Sequence, residues 1–137
     1  MRISQKLDYA CRAMVQLAKR HDGKTLTRLE ELAQREAVSA NFLVQILNDL
    51  KRAGLVDSRR GKTGGYLLPR EPSDITLLDI ILAVEPGILA SNPSGDGESS
   101  HALRLTWDGV ALHIRRYLES LDLRQLVDRG ADPMYYI

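Results

Sequence analysis

Apolar residues set the first element. Ile3, Leu7, Ala10, Cys11, Met14, Val15, Leu17 and Ala18 recur at helical spacing, predicting a helix to about Arg20 with Ser4 as its cap. His21, Asp22 and Gly23 then break the pattern. Thr27-Arg28-Leu29-Glu30 has the spacing of a capping box, in which hydroxyl and carboxylate each satisfy a free backbone N–H, so a second helix is expected from there to about Glu36. It turns Leu29, Leu32 and Ala33 inward, and small Ala33 suits the point where two helices joined by a tight Ala37-Val38 turn cross. Ser39 caps a third helix whose inner stripe is Leu43, Ile46, Leu47, Leu50 and Ala53, and Gly54 stops it.

The period then changes. Leu55, Val56 and Asp57 to Arg59 have strand character, and Tyr66 to Leu68 provide a returning strand. Between them, Arg60-Gly61-Lys62-Thr63-Gly64-Gly65 forms a flexible loop. Pro69 and Pro72 bar regular structure, Thr76 to Asp79 opens a helix carrying Leu77, Leu78, Ile80, Ile81 and Val84, and Pro86-Gly87 ends it. Residues 86–100, rich in Gly, Pro, Ser, Asn and Asp, are expected to be a mobile loop.

From Ala102 onwards the longest helix carries Leu103, Trp107, Val110, Ile114, Tyr117 and Leu121 at alternating four- and three-residue steps, a heptad seam. Spacing alone fits an ordinary core helix as well as one paired across a twofold axis. The dimer is preferred, because a three-helix unit with its hairpin closes by itself and leaves the extra helix needing a partner. Asp122 caps a short last helix with Leu123, Leu126 and Val127, stopped by Gly130, and the apolar tail Met134-Tyr135-Tyr136-Ile137 is expected to dock nearby. The fold class read from this order is mainly α with a small β-hairpin, a winged helix-turn-helix plus a long dimerisation helix. Its parts are a DNA-binding unit over 1–85, an effector loop over 86–101 and a dimerisation helix with tail over 102–137.

Polar positions add the chemistry. The outer stripe of the third helix is Ala40, Asn41, Val44, Gln45, Asn48, Lys51 and Arg52, offering small, amide and basic groups with no acid in its first two turns. A helix lying in a DNA major groove needs such a face, and the free N–H groups behind Ser39 suit a phosphate oxygen. The hairpin adds Arg59, Arg60 and Lys62 beside Gly61 and Gly64. The bland alternative is a core helix with a polar outer face and a solvated turn.

Charge favours the DNA reading. The net charge of +1 hides fourteen Lys and Arg against seven Asp and Glu up to Arg70, and five against eleven beyond it. A polyanion would meet the first part only. The chain of 137 residues fits one domain with an appended element, has no apolar run of 18 residues and no secretory pattern, and carries a single cysteine, Cys11, so a cytoplasmic protein without an intrachain disulfide is expected. No glycine-rich nucleotide loop, Ser/His/Asp arrangement or metal-ligand spacing is visible, which argues against an enzyme.

MRISQKLDYACRAM at the start, the Ser39 helix, GLVDSRRGKTGGYLL and ITLLDIILAVE together resemble the bacterial winged-helix regulators of the Rrf-two type, typified by IscR, NsrR and CymR. The most specific part is the wing, with Gly61, Gly64, Gly65 and Tyr66 following Gly54-Leu55-Val56. The resemblance covers nearly the whole chain and implies a homodimer, joined through the long helix, acting on a pseudo-palindromic operator as a regulator, here expected to be a repressor. It places Ser39, Asn41, Phe42 and Gln45 at base edges and phosphates, and Arg60 in a minor groove. Phe42 has an alternative role as a core plug. Val44 stands where some relatives carry an acid, and residues 86–100 lack the three cysteines of cluster-binding members. No cofactor is therefore expected, and a small-molecule or protein effector is. Two alternatives remain: a metal or cluster sensor drawing on Asp8, Cys11, Glu98 and His101, or a winged helix used only for protein contacts. His21 and His113 read as surface residues.

Overall fold

The computed structural model describes residues 2–90 and 95–131. Six helices, α1 (Gln5–Lys19), α2 (Leu29–Glu36), α3 (Ala40–Arg52), α4 (Leu77–Val84), α5 (Ser100–Glu119) and α6 (Leu123–Ala131), accompany one antiparallel hairpin, β1 (Asp57–Arg59) and β2 (Gly65–Leu67). This is the expected winged helix-turn-helix with a long helix appended.

The core lies where α1, α3 and α4 meet. Leu43, Ile46, Leu47 and Leu50 of α3 are at most 1% exposed, facing Leu7, Ala10, Met14 and Leu17 of α1 and Ile80 of α4. Burial of this kind is worth ~1.5–3 kcal/mol per large side chain, so one face of α3 is fixed and its opposite face is held outward. Ala53, expected on the inner stripe, is exposed, because α3 ends at Arg52 and Ala53 is its C-cap. Ile3 likewise lies before α1 and is 49% exposed.

Four of the five predicted caps form, at Ser4, Ser39, Thr76 and Asp122. Ser4 Oγ accepts from Leu7 N at 3.1 Å, and Thr76 with Asp79 makes a reciprocal box at 3.1 and 2.9 Å. The box predicted at Thr27 and Glu30 does not form. Arg28 is the N-cap of α2, without a side-chain cap, and Thr27 is buried because its backbone pairs with Tyr66 through two 2.8 Å hydrogen bonds. Thr27 thus adds a rung to the β1–β2 sheet, in which Ser58 faces Tyr66 and Arg59 faces Gly65. The α2–α3 turn closes with Ala37 in the left-handed region (φ 55°) and Val38 N donating to Ala33 O at 3.0 Å, a Schellman-type ending.

Beyond α4 the structure departs further from expectation. Residues 86–89 form a 3-10 turn that lays Ile88 and Leu89 against the core, so this end of the loop is structured; residues 91–94 lie outside the described set. α5 begins at Ser100, which puts His101 inside the helix. Leu121 lies past the end of α5 and turns inward, its carbonyl accepting from Leu77 N at 2.8 Å. Asp122 caps α6 through Gln125 N at 2.9 Å, and Leu123 is fully buried as α6 packs back on α1. Gly130 lies within α6 rather than stopping it, and the docking expected of Met134 to Ile137 falls outside the described residues. His21 is also not a surface residue: its side chain is 10% exposed, with Nε2 3.5 Å from Glu71. His113 is exposed.

Candidate nucleic-acid interface

Helix α3 presents one outward face, set by its buried one. Asn41, Gln45 and Asn48 are exposed along it, with Lys51 and Arg52 at its last turn. Ser39 Oγ accepts from Phe42 N at 3.4 Å, and the first turn carries no acid. Ala40 is half-buried against the core. Phe42 is also half-buried, its ring meeting Tyr9 of α1 edge-on at 5.6 Å, so the aromatic ties the start of α3 to α1. Val44 is half-buried.

The wing stands beside the C-terminal end of this face. Arg59, Arg60, Gly61, Lys62 and Thr63 are exposed, whereas Gly64 and Gly65 are half-buried. Gly65 is required by close approach: a Cβ there would sit 2.6 Å from Thr27 O. Between α3, the start of α2 and the wing lies a polar cleft of about 320 Å³, with Arg28, Asn48, Lys51, Ser58, Arg59 and Arg60 among its walls. The cations differ in their freedom. Lys51 Nζ donates to Ser58 Oγ at 2.7 Å, tying helix to hairpin, and Arg52 pairs with Asp49 at 3.1 Å. Asp49 also holds Lys6 at 2.8 Å. Arg60 and Lys62 have no side-chain partner among the described residues.

Sequence reasoning missed Arg28 and Ser58 at this cleft. The local pattern places Arg28 inside a capping box, and the Thr27–Tyr66 pairing that brings it to the wing spans 39 positions, beyond any local periodicity. Tyr66 sits at the centre of that pairing; burial, then the Glu30 carboxylate, raises its phenol above the ordinary range.

The second region is apolar. Leu103, Trp107, Val110, Ile114 and Tyr117 of α5 are all exposed, from 37% at Ile114 to 62% at Tyr117, whereas Leu121 is half-buried. At the root of α5 a cavity of about 610 Å³ opens between α1, α4 and α5, walled by Leu7, Cys11, Leu77, Ile81, Ile114 and Leu118 among others. Asp8 and Cys11 both line it, and Asp8 pairs with Arg12 at 2.8 Å. Burial, and secondarily the Asp8 carboxylate, push the Cys11 thiol up to about 11. Glu98 and His101 lie exposed at the start of α5, outside the lining of that cavity. Among the described residues no group of three or more His, Cys, Asp or Glu is placed to hold a metal ion.

Comparison with known proteins gives concordant results. A family model described as "Rrf2: Iron-dependent Transcriptional regulator" matches residues 3–129. The chain is 38% identical to the HTH-type transcriptional regulator CymR of Bacillus subtilis, over 92% of this chain and 89% of that protein. It is 34% identical to the HTH-type transcriptional regulator IscR of Cereibacter sphaeroides, over 97% and 91% respectively. In structure it is similar to CymR, the global cysteine regulator of B. subtilis (TM-score 0.82, 36% identity, covering 94% of this chain and 98% of that one). It is also similar to IscR of T. potens (TM-score 0.75, 33% identity, 95% and 88%). With helix-turn-helix, glycine wing and long helix in the same order over nearly its whole length, this chain belongs to the Rrf2 family of transcriptional regulators.

Proposed function

We propose that this protein is a sequence-specific DNA-binding regulator that acts as a homodimer on a pseudo-palindromic operator and represses transcription. The observation that carries the reading is the joint surface of α3 and wing: an outward amide face ending in Lys51 and Arg52, flanked by the cations Arg60 and Lys62, whose side chains have no partner among the described residues. Asn41, Gln45 and Asn48 suit base edges, where one good bidentate pair gives ~1–3 kcal/mol of discrimination. Ser39 and the free N–H groups behind it suit a phosphate, and Arg60 suits the strong negative potential of a narrow minor groove. In this division of labour residues 1–85 read DNA, 86–101 adjoin the regulatory input and 102–137 supply the dimer contact.

The dimer follows from Leu103, Trp107, Val110, Ile114 and Tyr117, five of the seven large apolar side chains that α5 exposes among the described residues, a stripe that costs free energy in water. The stripe is centred on Val110. A twofold axis passing there sets Leu103 against the partner's Tyr117 and Trp107 against the partner's Ile114, so the face is self-complementary.

The family description names iron. The donor set here does not fit a thiolate-held cluster: the chain has one cysteine, and its thiol is held protonated against an apolar cavity wall. Control by a small-molecule or protein effector is the reading left. Binding of duplex fragments from 50 to 200 mM salt tests the DNA assignment. A steep linear fall of log affinity with log salt, and a several-fold loss in Arg60→Ala with an unchanged melting temperature, are expected. Salt-insensitive or absent binding would reject it in favour of a protein-contact module.

A further inference from the structure

The geometry points to Arg28 as a positioning residue for the wing, a strut that aims Arg60 and Lys62 at the duplex. The inference rests on the DNA-binding reading and adds to it a residue outside the recognition helix and the hairpin.

A wing of this construction is weak by itself. Its strands are three residues each, and a lone two-stranded hairpin is marginal in water. The loop between them contains Gly61 at φ 107° and Gly64, joined by one turn hydrogen bond of 3.0 Å from Gly64 N to Gly61 O. A loop that must be ordered on binding loses affinity to conformational entropy, and one held beforehand does not.

Arg28 supplies the hold. Its Nη1 donates to the Lys62 backbone oxygen at 2.7 Å, reaching the middle of the loop from the start of α2. Its base is fixed, because Thr27 next to it is buried and pairs with Tyr66 in both directions at 2.8 Å. Only a glycine at 65 permits that approach. Glu30 lies 3.8 Å from Arg28 Nε and helps orient the guanidinium. The Lys62 carbonyl is thereby turned inward, and the cationic side chains on either side of Gly61 are left exposed.

Three readouts on the full-length protein test the assignment, with Arg28→Ala, Arg60→Ala and the double variant. The DNA probe is a duplex enriched from a random-sequence pool by the wild-type protein. Trypsin cleavage after Lys62 in the DNA-free protein is expected to be at least threefold faster in Arg28→Ala at an unchanged melting temperature. Affinity is expected to fall several-fold, with the salt slope unaltered, and Arg28→Ala is expected to add little in the Arg60→Ala background. Equal losses in both backgrounds with a slope lower by about one would make Arg28 a direct phosphate contact and overturn the proposal. Unchanged cleavage would overturn it as well. If the wild-type protein enriches no duplex, the DNA reading fails, and the cleavage rate still decides whether Arg28 holds the wing.

Discussion

Single residues in this chain do work that their type alone does not announce. Cys11 lies one helical turn from Asp8, a spacing that invites a ligand reading, yet it faces an apolar cavity and its thiol is raised to about 11 by burial and by the Asp8 carboxylate. A thiol so raised is protonated at neutral pH, hence a poor nucleophile and a poor ligand. Its thiolate fraction at pH 8 is lower than that of an ordinary thiol with pKa 9.0 by on the order of a hundredfold. Alkylation by iodoacetamide at pH 8 should therefore be tens-fold slower in the native protein than in the urea-unfolded chain; equal rates would contradict the placement. The sign of the linkage follows. A folded-state pKa above the unfolded one stabilises the fold below pH 9, and that contribution is lost as the pH rises through 11. The exposure of Arg60 was legible from its neighbours in a glycine loop, but the engagement of Lys51 with Ser58 was not, since it depends on where the hairpin folds back.

At the scale of elements, what sequence shows well is what is local. The stripes of α1 and α3, the caps at Ser4, Ser39 and Thr76, and the first strand all follow from spacing within a few residues. What it shows poorly is pairing at a distance: Thr27 with Tyr66, Thr76 with Asp122, and α6 against α1. The failed capping box has this cause, for once the Thr27 backbone is engaged by β2 and its side chain is buried, the cap passes to Arg28. The 3-10 turn after Pro86 is hidden in the sequence because the Gly- and Pro-rich composition predicts a mobile loop, while Ile88 and Leu89 find apolar neighbours across α1 and α4. The wing's attachment predicts that Gly65→Ala is destabilising. The added Cβ would lie 2.6 Å from Thr27 O and 2.8 Å from its carbonyl carbon, both backbone atoms that cannot swing aside. A loss of about 1–3 kcal/mol in urea unfolding is expected, together with faster amide exchange at Thr27 and Tyr66. A variant as stable as wild type would show that the hairpin is not docked there.

At the scale of the whole molecule, the proposed function divides the labour between the basic half and the apolar helix. The exposed stripe of Leu103, Trp107, Val110, Ile114 and Tyr117 on α5 leaves a single copy with an apolar surface that the proposed second copy would cover. Asp at both Ile114 and Tyr117 should give a monomer in sedimentation with the helical content retained. Its affinity for a two-half-site duplex should fall by at least tenfold, because the second reading head no longer adds its effective concentration. Persistent dimers would return α5 to a role within one chain.

The most direct test of the account is repeated selection of duplexes from a random-sequence pool, followed by sequencing of those retained. Two α3–wing units related by a twofold axis should enrich an inverted repeat whose half-sites are about one helical turn apart. Enrichment of a single unrepeated site, or of nothing above background, would contradict it.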